Sequence, residues 1–137
     1  MIKNEKEGYL GNPNVKRDGI IQGWSEDTVQ EYMKCMQEPE YFAKTYCKII
    51  SLDEGLVNFE LYPYQDEMFK HFNNNRFSIV LACRQSGKSI SSVAYLLWFA
   101  VFHSEKTIAI LANKGATARE MLSRITLMLE NLPFFLQ

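Results

Sequence analysis

Hydrophobic positions recur at helical spacing in some stretches of this chain and at strand spacing in others, and the switches between the two lay out its elements. Val29, Tyr32, Met33 and Met36 repeat at helical spacing. Ser25 stands before them as an N-cap, with Glu26 and Asp27 placed to meet the helix dipole. Pro39 restarts the chain, and Tyr41, Phe42 and Tyr46 predict a second short helix. Lys48–Ser51 and Val57–Leu61 are short apolar runs around Asp53-Glu54-Gly55, which predicts a β-hairpin. Pro63 suits the first turn of a helix running to about Phe72, closed by Asn73-Asn74-Asn75. Phe77–Ala82 and Thr107–Ala112 are expected as buried strands flanking a helix from Lys88 to about Phe102, a βαβ unit with parallel pairing and a right-handed crossover. Ala118, Met121, Leu122, Ile125, Met128, Leu129 and Leu132 follow helical spacing again until Pro133. Residues 1–23 are polar and glycine-rich and read as a flexible N-terminal arm.

Composition narrows the classes. The 137 residues are 47% hydrophobic and 23% charged, as in ordinary globular domains. A net charge of −1 argues against a strongly basic nucleic-acid coat. Cys35, Cys47 and Cys83 are odd in number and widely spaced, which fits free buried thiols in a reducing compartment better than a disulfide framework or a zinc site. The longest apolar run, Val93 to Phe102, falls short of the about 20 residues of a membrane span. No signal peptide is read at Met1-Ile2-Lys3-Asn4. A soluble intracellular protein without membrane attachment is expected.

The chemistry concentrates in Ala82-Cys83-Arg84-Gln85-Ser86-Gly87-Lys88-Ser89. This is the Walker A pattern of a phosphate-binding loop, with alanine for the first glycine, set between an expected strand and an expected helix. Backbone N–H groups of such a loop converge on phosphate oxygens at a helix N-terminus. Gly87 permits close backbone approach, Lys88 brings a point charge to the β and γ phosphates, and Ser89 offers a hydroxyl to Mg²⁺. Arg84 can serve as an arginine finger supplied in cis, or it can point to solvent or pair with a carboxylate.

Upstream, Tyr62-Pro63-Tyr64-Gln65 has the makings of a Q-motif: the Gln65 amide matches the adenine edge and a tyrosine can stack on the base. The alternative is a glutamine that only starts a helix. Ile49 to Glu54 imitates a Walker B strand, but it precedes the loop and Gly55 makes Asp53-Glu54 a turn. Beyond the loop the acidic residues are Glu105, Glu120 and Glu130, and none ends an apolar strand, so no Walker B carboxylate is read. Lys114, after the second expected strand, should lie near the phosphate loop. Lys114, Arg119 and Arg124 can touch a nucleic-acid backbone, although Arg119 and Arg124 read better as a solvated helix face. His71 and His103 have no metal-like partners and read as surface residues.

The order of Gln65, the Ala82–Ser89 loop and Ile110-Leu111-Ala112-Asn113-Lys114-Gly115 resembles the large terminase subunit of tailed double-stranded DNA phages, the myovirus type most closely. Trp24 with its acidic helix, Tyr41-Phe42-Ala43-Lys44-Thr45-Tyr46-Cys47, and Leu132-Pro133-Phe134-Phe135-Leu136-Gln137 add to the resemblance, which runs from about Asn12 onward. That family packages genomic DNA into a preformed capsid with an N-terminal ATPase motor and a C-terminal Mg²⁺-dependent nuclease. The resemblance implies an α/β fold: an incomplete parallel sheet of the P-loop NTPase type (ASCE or RecA-like), with N-terminal helices and a β-hairpin before the loop.

It also implies the roles. ATP and Mg²⁺ would be held by Gln65, Cys83, Arg84, Gln85, Ser86, Gly87, Lys88 and Ser89, with Gln65 on adenine and Ser89 on the Mg²⁺ that accompanies ATP. Arg84 would trigger hydrolysis, and Lys114 would touch nucleic acid or couple hydrolysis to movement. The implied partners are double-stranded DNA, the portal protein, the small terminase subunit and the remainder of a terminase chain, in the host cytoplasm and transiently at the procapsid portal. Residues 24–137 are then expected to be the N-terminal part of an ATPase domain, cut before Walker B and without the nuclease, able to hold ATP but not to hydrolyse it alone. A two-stranded parallel sheet would leave an apolar edge open. The alternatives are a non-catalytic assembly module completed by a partner chain, and a P-loop helicase-type ATPase fragment.

Overall fold

All five helices expected from residue spacing form in the computed structural model, which describes residues 8–137 apart from 18, 21, 22 and 52. Helix α1 (Glu26–Gln37) starts where Ser25 Oγ accepts the Thr28 N–H at 3.2 Å, with Glu26 and Asp27 in the first turn and Lys34 in the last. Helices α2 (Pro39–Tyr46) and α3 (Pro63–Asn74) each begin on a proline, whose missing N–H costs nothing at a helix start. Helix α4 (Lys88–Phe102) follows the loop, and α5 (Gly115–Glu130) ends before Pro133 opens a 3₁₀ turn, Phe134–Leu136.

Helix α4 is the axis of the molecule. Its Val93, Ala94, Leu97 and Trp98 are buried against Cys35 of α1, Phe42 and Ala43 of α2, Phe69 of α3 and Met128 of α5. A helix apolar on most of its surface has to be surrounded, and here other helices surround it. The Trp98 indole N–H donates to the Cys35 carbonyl at 2.8 Å, so the largest core side chain buries no unmet donor. Glu31 ties α1 to α2 by accepting from the Tyr41 and Tyr46 hydroxyls at 2.9 and 2.8 Å. Lys44 reaches Asp66 at 2.7 Å between α2 and α3, and this contact together with one from Lys70 holds the Asp66 carboxyl below its usual range.

Two small antiparallel sheets lie beside the helices. Strands β1 (Gly8–Tyr9) and β2 (Asn12–Lys16) pair within the stretch expected as an arm, whose residues 1–7, 18, 21 and 22 lie outside those described. This hairpin is fastened to the far end of the chain: the Asn12 amide donates to Glu130 at 2.7 Å, the Lys16 N–H to Gln137 at 2.6 Å, and the Gln137 amide to the Asn14 carbonyl at 2.9 Å. Strands β3 (Lys48–Ser51) and β4 (Gly55–Asn58) form a hairpin as expected, in register from Lys48 opposite Asn58 to Ser51 opposite Gly55, but the second strand starts at Gly55 and ends at Asn58 where Val57–Leu61 was expected. Gly55 sits at a φ of 75°, which a side chain would strain.

The expected parallel sheet is not there. Among the described residues both sheets are two-stranded and antiparallel, and no βαβ unit of the P-loop NTPase type forms. Phe77–Ala82 and Thr107–Ala112 do flank α4, but neither makes a ladder hydrogen bond. Nor are they buried: Phe77 is 80% exposed, Ile79 96%, Leu81 100% and Leu111 89%. An apolar run becomes a strand only when another strand answers its N–H and C=O groups, and no described segment does so here. Local sequence expressed the preference; pairing was the missing half.

Candidate phosphate-binding site

The Ala82–Ser89 segment folds as a tight loop running into α4. Gln85 and Gly87 both take left-handed backbone conformations, at φ 61° and 74°, so the chain curls twice before the helix starts. Such alternation turns successive N–H groups to one side, the geometry of an anion nest. Gly87 is required by its positive φ, and a Cβ there would also push on the Gln65 amide nitrogen, 2.5 Å away. The Cys83 carbonyl sits at the centre of the curl, accepting from the Lys88 ammonium at 2.8 Å and from the Ser86 hydroxyl at 3.0 Å.

The mouth of α4 is open to an anion. The first N–H to enter the helix ladder is that of Ser91, on the Gly87 carbonyl at 3.0 Å, and no side chain caps the preceding groups among the described residues. Helix starts leave such donors unmet, and they attract negative charge. The first turn carries no acidic residue to compete. Lys88 is half-buried, while Cys83, Arg84, Gln85 and Ser89 are exposed. Arg84 is exposed and makes no ion pair or hydrogen bond among the described residues, so it stands in solvent and is not paired with a carboxylate.

Helix α3 braces the loop from outside. Gln65 is 1% exposed, and both ends of its amide are engaged: the oxygen accepts from the Tyr62 N–H at 2.8 Å and the nitrogen donates to the Gly87 carbonyl at 3.4 Å. It therefore closes the start of α3 in the manner of a capping-box residue while touching the loop. An adenine contact would require its amide to exchange one of these bonds. Tyr62 and Tyr64 stack with centroids 5.7 Å apart and remain partly exposed, and the Tyr64 hydroxyl donates to the Ser86 carbonyl.

Gln85, Ser86 and Gly87 form one wall of an open cleft of ≈ 1010 Å³, whose other walls are the β3–β4 hairpin and the start of α3. Asp53, Glu54 and Glu60 line it together with Tyr62 and Gln65. Asp53-Glu54 is a turn, as its glycine implied, but it lines the same cleft as the loop, a neighbourhood that the linear sequence does not show. Lys114 is exposed at the N-cap of α5 and does not line the cleft. Arg124 is committed to Glu120 in an ion pair along α5. His71 is exposed, whereas the His103 ring stacks on Phe99 at 4.3 Å rather than standing free. Cys35 and Cys47 are buried, but Cys83 is exposed in the loop, against the expectation for it.

Among the described residues no three His, Cys, Asp or Glu side chains are grouped to hold a metal ion, and no helix is long and apolar enough to cross a membrane. The chain matches no protein-family model.

Proposed function

We propose that this chain binds the triphosphate of ATP at Ala82–Ser89, as the nucleotide-binding part of a DNA-packaging motor. The observation behind it is the loop itself: two left-handed turns and an uncapped helix start gathered around the Lys88 ammonium. The site needs no parallel sheet, because the donors belong to the loop and to α4 alone.

The residues fit a triphosphate. Lys88 has only a backbone carbonyl to release, so its charge is available to phosphate oxygens. The N–H groups at the start of α4 meet the anion along the helix axis. Ser89, exposed on the first turn, would offer its hydroxyl to a phosphate-bound Mg²⁺, and that ion would neutralise phosphate charge when bound. The carboxylates of Asp53, Glu54 and Glu60 repel phosphate but accept from hydroxyl and amino groups, so the cleft suits the sugar and base. Tyr62, which lines the cleft and stacks on Tyr64, offers an aromatic face there. Arg84, unpaired among the described residues, is free to reach the terminal phosphate.

The packaging role rests on the motif order and flanking residues that resemble the terminase large subunit. With it come double-stranded DNA, the portal protein, the small terminase subunit and the rest of a terminase chain as proposed partners, and Lys114 as a proposed nucleic-acid or coupling contact. Calorimetric titration with ATP–Mg²⁺ tests the binding claim. Lys88→Ala should weaken affinity about ten- to hundred-fold, the weight of a charge-assisted hydrogen bond of ~1.5–3 kcal/mol. Equal heats from both proteins would sink the proposal.

The exposed apolar side chains of Phe77, Ile79, Leu81 and Leu111 favour a second reading, an assembly module. Their backbones lack ladder partners among the described residues, so the occupant would be an extended segment of a partner chain. Native mass measurement checks it: a monodisperse monomer with and without candidate partner chains would count against it.

A further inference from the structure

The two peptide groups around Gly87 are held by their carbonyls, and by different elements. The Gly87 carbonyl accepts from the Ser91 N–H at 3.0 Å, the Ser91 hydroxyl at 3.1 Å and the Gln65 amide at 3.4 Å. The Ser86 carbonyl, one peptide earlier, is held by the Tyr64 hydroxyl. In a trans peptide the C=O and the following N–H point in opposite directions, and this chain has no cis peptide among its described residues. Fixing the Ser86 carbonyl toward α3 therefore turns the Gly87 N–H away from α3. This peptide runs into Gly87, at φ 74°, one residue after Gln85 at 61°, and the freedom of glycine lets it rotate readily without an anchor.

We infer that Tyr64 is a positioning residue of the phosphate site: its hydroxyl sets the orientation of the Ser86–Gly87 peptide, and so aims the Gly87 N–H at the bound phosphate. The inference rests on the proposed triphosphate site. It gives the tyrosine a role that depends on phosphate and not on the base, unlike stacking on adenine. Tyr62, whose ring stacks on that of Tyr64 at 5.7 Å, makes no such bond to the loop among the described residues.

The test uses inorganic tripolyphosphate, which has no base, beside ATP and GTP, each with Mg²⁺. Tyr64→Phe keeps the ring and removes only the hydroxyl. Its affinity should fall roughly three- to ten-fold for all three ligands in the same proportion, the weight of one oriented hydrogen bond. Tyr9→Phe, at an exposed tyrosine of β1 that does not line the cleft, should bind tripolyphosphate as wild type does. In wild type the Gly87 amide proton should move downfield when tripolyphosphate is added, and in Tyr64→Phe it should move less, with unchanged melting of the free protein. Wild-type affinity in Tyr64→Phe, a loss confined to ATP and GTP, or a Gly87 amide in wild type that ignores bound tripolyphosphate would each overturn the inference while leaving the phosphate site standing. Failure of wild type to bind tripolyphosphate, or equal binding by Lys88→Ala, would instead remove the site itself.

Discussion

At the residue scale, the identities of the loop residues were legible because their chemistry is local. A glycine at positive φ, a lysine on the first helical turn and a hydroxyl beside it are needs that the spacing states outright. What Gln65 and Tyr64 do was not legible. Their partners are the carbonyls of Gly87 and Ser86, and only the approach of α3 to the loop brings these together. Cys83 separates from the other cysteines in the same way. Burial pushes the Cys35 thiol up to about 12, with the Glu31 carboxylate adding to it, and burial raises Cys47 as well. Both are inert thiols at neutral pH, while Cys83 is exposed within the loop. A thiol reagent such as DTNB should therefore label one cysteine quickly in the folded protein, and ATP–Mg²⁺ should slow that labelling. Labelling of Cys83 at the same rate with saturating nucleotide would place the ligand elsewhere.

At the element scale, helices were readable because each carries its own signals. Caps, prolines and apolar stripes act within a turn or two, and α4 was expected over the bounds it adopts. Strands are different. Lys48–Ser51 found its partner a few residues downstream, so the hairpin was legible. Phe77–Ala82 depended on a partner distant in sequence, and the apolar run alone could not say whether one exists. The energetic weight therefore sits on α4 and the helices around it. Leu97 is 2% exposed at the middle of α4, and Leu97→Ala should cost about 2–5 kcal/mol through lost burial and a residual cavity. Urea unfolding followed by Trp fluorescence measures it; a loss below about 1 kcal/mol would mean that α4 is not the centre of the core.

At the scale of the whole molecule, a helical body with two small hairpins leaves its two longest β-prone apolar runs facing solvent. A net charge of −1 offers little repulsion to keep such surfaces apart. Contiguous exposed apolar groups favour association. Ile79→Lys with Leu81→Lys should leave stability within about 0.5 kcal/mol, as surface changes do, and reduce self-association or partner capture in native mass spectra. A loss of several kcal/mol would show that these side chains lie in a core, contrary to their exposures of 96% and 100%.

The loop carries the proposed function, because the Walker A residues and the doubly curled backbone lie in the same segment. Titrating ATP–Mg²⁺ into wild type and Lys88→Ala under one set of conditions tests that function most directly. A saturable heat from wild type, reduced about ten-fold or more in affinity by the substitution, is the predicted result. The same isotherm from both proteins, or no binding by wild type, would contradict it.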